Sequence, residues 1–472
     1  MTLLQIKTIA IIGGGFSGTA TAINLLSQAS EQQIPVQVLL IDRTETTGKG
    51  LAYNTEDDNL VLNVPIGNMS VFADKPDDFL SYCHEIDSAL NSGSFIFRRV
   101  YGEYLQTRLR QMQLAKPDAL VIINDRVNEL HRGHVDELVL TCDSGKQIRA
   151  EKVVLAFGHF APRSIAEIFG EKVIRSTIPS NLCVDNPWDI CAVDSLPLDK
   201  DVLIIGTGHT AIDTLFRLVS SSPPRKIVMV SRHGESPNGH RQAGEFVKIP
   251  QLSKEIESTV RNLLVRSPTV RALFSAVRQL SKQHKALNGN WRDVINSLRP
   301  ITPEIWMALS TKERARFLRH VVYHWDVLRH RLAPIAIRRL EGLTSNGRVE
   351  IIAGRLTRID FFDKKDDIEL DVRLRGSRKR RTLSVGSVIN CTGPNYDIHR
   401  VNNLLVRQLV KTGLLQQDTV KIGFSVDVNY RCSALPNLYY VGPMLKARFW
   451  EAIAVPELRV HARNVARIVL SD

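Results

Sequence analysis

Two glycine-spaced segments in this chain have the residue types needed to grip a pyrophosphate. The first is Gly13-Gly14-Gly15-Phe16-Ser17-Gly18, and the second is Gly206-Thr207-Gly208-His209-Thr210-Ala211. In a G-x-G-x-x-G/A loop the first glycine makes a tight turn and the second lets the backbone approach phosphate oxygens. The third lets a helix pack closely on a strand. The anion then rests at the helix N-terminus, where unpaired N–H groups and the positive dipole end favour it. Gly13, Gly15 and Gly18 fill all three places; Gly206, Gly208 and Ala211 fill them in the second copy. Either copy alone also fits a tight turn that binds nothing. Two in one chain suggest two dinucleotides held face to face, as hydride transfer from a nicotinamide to a flavin requires.

The residues after each loop separate the two sites. Val36 to Ile41 is an apolar run ending in Asp42-Arg43. A carboxylate there accepts hydrogen bonds from ribose hydroxyls and repels a further phosphate, which suits the adenosine of FAD or NAD. Ile227 to Val230 ends instead in Ser231-Arg232-His233, with no acid. A guanidinium at that place can hold a 2′-phosphate, so the second site reads as built for NADPH; the alternative is a solvated strand-end arginine. No acid–base group stands out. His159 follows Gly158 and His209 lies inside the second loop; each is a candidate for chemistry or for packing and capping. His320 and His324 are four apart, but without an HExxH glutamate or a third ligand no metal site is expected.

The elements that must position these residues are legible around them. Each loop follows an apolar run and precedes an apolar-periodic stretch, the strand–turn–helix context the motif needs. Val153 to Gly158 and Val388 to Gly393 are distant echoes, apolar strands ending in glycine. Before each echo the pattern reads as a β-meander: Ala119 to Ile123 with Glu137 to Thr141, and Val349 to Ile352 with Ile368 to Leu374. The fold class is therefore α/β, with two Rossmann-like dinucleotide-binding domains, β-meanders and a helical insertion. The second loop interrupts the first domain, which places a discontinuous FAD-binding domain at 1–195 and 346–472 and an NAD(P)H-binding domain at 196–250. The insertion falls at 251–345. Pro223-Pro224 and Pro237-Asn238-Gly239 read as surface turns, and Ser377 to Arg381 as a basic, solvated hairpin turn.

Composition narrows the class. At 472 residues, 43% hydrophobic and 24% charged, the chain reads as two to three globular domains. Ile9 to Ile12 is too short for a signal peptide, no run suits a membrane span, and cytoplasmic residence is the expectation. None of the six cysteines forms a C-x-x-C pair, which removes a zinc ribbon and the dithiol of a disulfide reductase. Much of the net charge of +13 is local: 251–340 holds seventeen Lys and Arg against six Asp and Glu. Apolar residues from Leu318 to Leu332 recur at helical spacing within it. That basic face suits an anionic small-molecule substrate, the NADPH phosphates, an acidic partner or mere solvation. Nucleic acid is disfavoured, because no binding motif is evident and aromatics are sparse.

Several further segments carry a family resemblance. They are Gly48 to Tyr53, Leu62-Asn63-Val64-Pro65, Met69-Ser70, Arg99 to Leu105, Trp325-Asp326, Trp450-Glu451 and Val455-Pro456-Glu457. On these the chain resembles the bacterial FAD-NAD(P)-binding family, two-dinucleotide-binding-domain flavoproteins related to flavin-dependent monooxygenases. The resemblance implies FAD and NADPH as cofactors, hydride transfer from NADPH to FAD, and O₂ activation on a small-molecule substrate. It implies a flavin pocket lined by Gly50, Tyr53, Asn63, Met69 and Ser70, with Arg99 and Tyr101 as further candidates and with Gly158, Gly393, Gly442 and Trp450 nearby. A helix over Trp450 to Val469 would aim its N-terminus at the flavin. Pro443 stands where such proteins carry aspartate after the glycine, which puts the ribityl contact in doubt. The stretch Val173 to Trp188 contains no histidine, so it lacks the F-x-G-x-x-x-H motif of Baeyer–Villiger and dimethylaniline-type monooxygenases and disfavours that class. The alternatives are a flavin reductase or oxidase serving a partner, and a non-catalytic redox sensor. Substrate identity and oligomeric state are not legible.

Overall fold

The computed structural model describes residues 6–134, 137–220, 225–241, 250–266, 268–362, 367–432 and 435–471. It opens with β1 (Lys7–Ile12), helix Phe16–Glu31, β2 (Val36–Asp42), helix Arg98–Ala115 and β3 (Leu120–Asn124). An antiparallel excursion follows, of β4 (Val127–Arg132), β5 (Leu138–Cys142) and β6 (Gln147–Ala150), before β7 (Lys152–Leu155) returns. The second half-fold contains β8 (Cys183–Val184), β9 (Val202–Ile205), helix His209–Ser220 and β10 (Ile227–Ser231). After the helical insertion come β11 (Val349–Phe362), β12 (Asp367–Leu374), β13 (Arg380–Val385) and β14 (Ser387–Asn390). Then β15 (Leu438–Tyr440) and helix Val455–Ser471 complete the first half-fold.

The two main sheets repeat one topology. The first has the order β15-β7-β1-β2-β3 and is parallel throughout. The second contains β8-β14-β9-β10-β11, also parallel, and continues antiparallel into β12 and β13. Parallel sheets are covered on both faces, so their strands read as unbroken apolar runs. In β9 that logic is visible residue by residue: Val202 and Ile204 join the core on one face, Leu203 and Ile205 the core on the other.

Two expectations change. Leu120–Asn124 is not a meander strand but the edge of the first parallel sheet, paired with β2. The meander's first strand is Val127–Arg132, whose mostly polar residues hid it. Within the segment 346–472, β11 to β14 hydrogen-bond into the second sheet and not the first. β11 itself pairs parallel with β10 over Val349–Ala353, then antiparallel with β12 from Gly354. Two strands alone could not have buried both faces, so the 196–250 segment recruits these. Finally, the helix read over Leu318 to Leu332 is two, Thr311–His320 and Val322–Arg329, which separates His320 from His324.

The insertion packs its own core around Ile256, Val260, Val294, Leu298 and Trp306. Pro237 is buried, and Asn238 exchanges backbone hydrogen bonds with the Val327–Leu332 stretch, so that turn is interior. Pro223-Pro224 lies outside the described residues. Ser377 lies in the turn before β13, while Arg380 and Arg381 begin the strand and Arg381 pairs with Glu350. Among the described residues no helix is long and apolar enough to cross a membrane.

Candidate functional site

Both glycine loops open into one cavity of about 2470 Å³. Gly13 and Gly206 hold φ of +110° and +124°, a region L-residues avoid. A Cβ on Gly13 would stand 2.7 Å from the carbonyl oxygen of Ala156, and one on Gly206 would overlap that of Cys391. Each first glycine therefore lets its loop press on the strand end that echoes it. A Cβ on Gly18 would overlap the carbonyl of Gly13, so Gly18 seats the helix and does not line the cavity. Gly208 has open space where a Cβ would be, as a backbone meant to approach a ligand requires.

The first site fits a dinucleotide. Gly13, Gly15, Phe16 and Ser17 line the cavity. No side chain caps helix Phe16–Glu31 at Gly15, which leaves first-turn amides available to an anion. Asp42 lies at the cavity wall, accepting from the Gly14 amide and from the amide and hydroxyl of Thr44 at 2.9 and 2.7 Å. Arg43, Gly50, Tyr53, Asn63, Met69 and Gly158 share that wall. Ser70 does not: it is fully buried and its hydroxyl donates to the Lys75 carbonyl at 2.7 Å. Arg99 turns outward to Asp58, and Tyr101 is buried among Tyr53, Phe79 and Tyr104.

The second site faces the first. Gly206, Gly208, His209, Thr210, Ser231, Arg232 and Gly393 line the same cavity. The Ser231 hydroxyl accepts from the Gly234 amide at 2.9 Å and lies 3.0 Å from the Thr207 hydroxyl, closing the turn after β10. Arg232 is exposed and has no ion pair among the described residues. The two half-folds are tied beside these loops. Arg98 donates to both oxygens of Asp213, at 2.7 and 3.0 Å, and the His240 ring meets the Asn63 carbonyl at 2.9 Å.

The candidate histidines are set apart by environment. The His209 ring contacts the His330 carbonyl at 3.1 Å, and burial lowers its pKa. His159 faces the open cavity, edge-on to Tyr396. Dense surrounding protein nevertheless pushes its pKa down to about 4, with Lys446 adding to the effect. Both are neutral imidazoles near pH 7 and neither is a ready proton donor.

Two expected residues lie elsewhere. Gly442 has φ +148°, and a Cβ there would crowd the Phe157 carbonyl and the Tyr440 hydroxyl; its role is close packing. Trp450 precedes the C-terminal helix, which begins at Val455, and sits with φ +54°. Its ring stacks on Trp306 at 4.6 Å within the insertion's core. Cavity-lining residues that sequence reasoning missed include Arg292, Arg331, Tyr396 and Lys446. The basic count over 251–340 was the only signal for the two arginines, and it could not single either of them out.

Comparison with known proteins places this geometry. Residues 10–160 match a family model described as FAD-NAD(P)-binding, and no curated protein matches the chain. Among solved structures, the chain is similar to the reduced form of ornithine hydroxylase from Pseudomonas aeruginosa, at 17% identity and TM-score 0.62, covering 99% of each chain. L-lysine 6-monooxygenase from Pseudomonas syringae shows 16% identity and TM-score 0.65, over 98% of this chain and 99% of that one. The ornithine N-hydroxylase of Kutzneria sp. 744 shows 12% identity and TM-score 0.63, with coverage of 98% and 99%. At such identities the shared property is the fold. Residues 10–160 thus match the FAD-NAD(P)-binding model, and the whole chain shares the fold of these solved hydroxylase and monooxygenase structures.

Proposed function

We propose that this chain is an FAD-dependent, NADPH-consuming oxidoreductase that acts as a monooxygenase on a small molecule. The observation carrying this reading is that glycine loops from two separate sheets open into a single cavity. Bound there, FAD and NADPH would supply hydride transfer and oxygen activation. The chain's own residues do the holding. Gly15 and the first turn of helix Phe16–Glu31 cradle the FAD pyrophosphate, and Asp42 takes the adenosine ribose. Gly208 and helix His209–Ser220 cradle that of NADPH, and Arg232 takes the 2′-phosphate. The Arg98–Asp213 pair fixes the two cradles relative to each other, which is the positioning a hydride transfer depends on.

The similar structures named as ornithine hydroxylase, L-lysine 6-monooxygenase and ornithine N-hydroxylase favour oxygenation of a small substrate. The lack of a C-x-x-C pair argues against disulfide reduction. Stopped-flow mixing tests the reading. Anaerobic NADPH should bleach the oxidised flavin band, and oxygen should then produce a long-lived absorbance transient before reoxidation. Bleaching without a transient would reassign the protein as a reductase or oxidase. No bleaching by either nicotinamide would leave a flavin-binding protein without turnover.

A further inference from the structure

One wall of the cavity holds a guanidinium without a counter-ion among the described residues. Arg331 is 5% exposed and lines the cavity. Its Nε donates to the Leu328 carbonyl at 2.9 Å, while its buried Nη2 has no acceptor. Among the described residues no carboxylate lies within ion-pair reach of it. Its neighbours are differently placed. Arg241 pairs with Asp293 at 2.6 Å, and Arg292 donates Nε and Nη2 to the Gly239 carbonyl at 3.0 and 2.8 Å. Arg331 and Arg292 both lie over the Trp291 ring, at 5.2 and 4.6 Å from its centre. The ring and the Leu328 carbonyl fix the guanidinium plane at the cavity wall.

A buried, unpaired charge is costly and calls for an explanation. A rigid fork of N–H donors fits a carboxylate in two parallel bonds. Asn296 and Ser297, on the helix that carries Arg292, line the same cavity and add neutral donors. The dinucleotide phosphates are already provided for at the two glycine loops, so a single guanidinium here asks for one further negative charge.

We infer that Arg331, over Trp291, is an anion subsite that docks the carboxylate of the small-molecule substrate. The inference rests on the proposed reading that a substrate enters this cavity beside the two cofactors. The test is calorimetric titration of FAD-loaded protein with succinate and with its neutral diamide, each with and without saturating NADP⁺. Succinate should bind and the diamide should bind at least tenfold more weakly, with NADP⁺ making little difference. Arg331→Met should weaken succinate at least tenfold, and Arg331→Lys by less. Equal binding of acid and diamide, no binding of either, or unchanged binding in Arg331→Met would overturn the subsite. Loss of succinate binding under NADP⁺ would assign the charge to a cofactor phosphate, and would overturn it too. The acid–diamide comparison uses the wild-type protein, so it stands even if a variant fails to fold. Flavin reduction by NADPH, measured on the same sample, shows separately whether the oxidoreductase reading holds.

Discussion

Arg232 directly follows the strand beside the second glycine loop, with its charge exposed at the cavity wall. No acid occupies its place, and the neighbouring Ser231 hydroxyl is engaged within the turn. A hydrogen bond to a charged group contributes about 1.5–3 kcal/mol, so Arg232→Ala should weaken NADPH by that amount and leave NADH nearly unchanged. Dissociation constants for the two nicotinamides, measured by titration on the variant and the wild type, check this. Equal losses would mean that Arg232 serves parts common to both. At this scale the sequence was legible where a residue's role is local. Gly13 and Gly206 were readable because a turn needs their conformation whatever surrounds it. Trp450 was not, because its partners Trp306 and Phe317 lie more than a hundred residues away. Nothing nearby marks it as insertion core and not flavin wall.

The elements were legible by type more readily than by allegiance. The apolar run Val349 to Ile352 was plain, but its sheet was not, since the same β11 is parallel at one end and antiparallel at the other. A bulge between Leu356 and Arg358 marks its antiparallel part. Contacts between elements escape sequence reasoning most of all. Helix Arg98–Ala115 begins with Arg98, and helix His209–Ser220 carries Asp213 one turn in, yet the pair they form is bidentate and largely buried. Removing one partner of such a pair leaves an uncompensated buried charge and costs about 3–5 kcal/mol. Asp213→Ala should therefore lower the urea midpoint markedly. The double variant Arg98→Met with Asp213→Leu should recover most of that loss, because apolar groups of similar volume carry no such penalty. A double variant as unstable as the single one would show that the pair's geometry, and not its charge, matters to folding.

Across the whole molecule, stability is tied to histidines kept neutral in widely separated places. His240 bridges the half-folds through the Asn63 carbonyl, and His461 on the C-terminal helix meets the Tyr430 hydroxyl at 2.9 Å. Burial pushes both down to about 4, while in the unfolded chain each returns to about 6.5. Between those values the unfolded chain binds more protons than the folded one, so stability falls as pH falls. The contribution of each neutral ring is whole above pH 6.5 and is lost progressively towards pH 4. Urea midpoints should therefore decline steadily across that window, starting above the range where ordinary carboxylates titrate. His461→Gln keeps a hydrogen-bonding group beside Tyr430 but cannot take up the proton, so it should flatten the decline, with its largest effect between pH 6 and 5. The same substitution at His240 should flatten it and also loosen the joint between the two cradles, slowing flavin reduction by NADPH. If neither substitution alters the slope, acid sensitivity originates in other groups and these rings are not the source of the pH dependence.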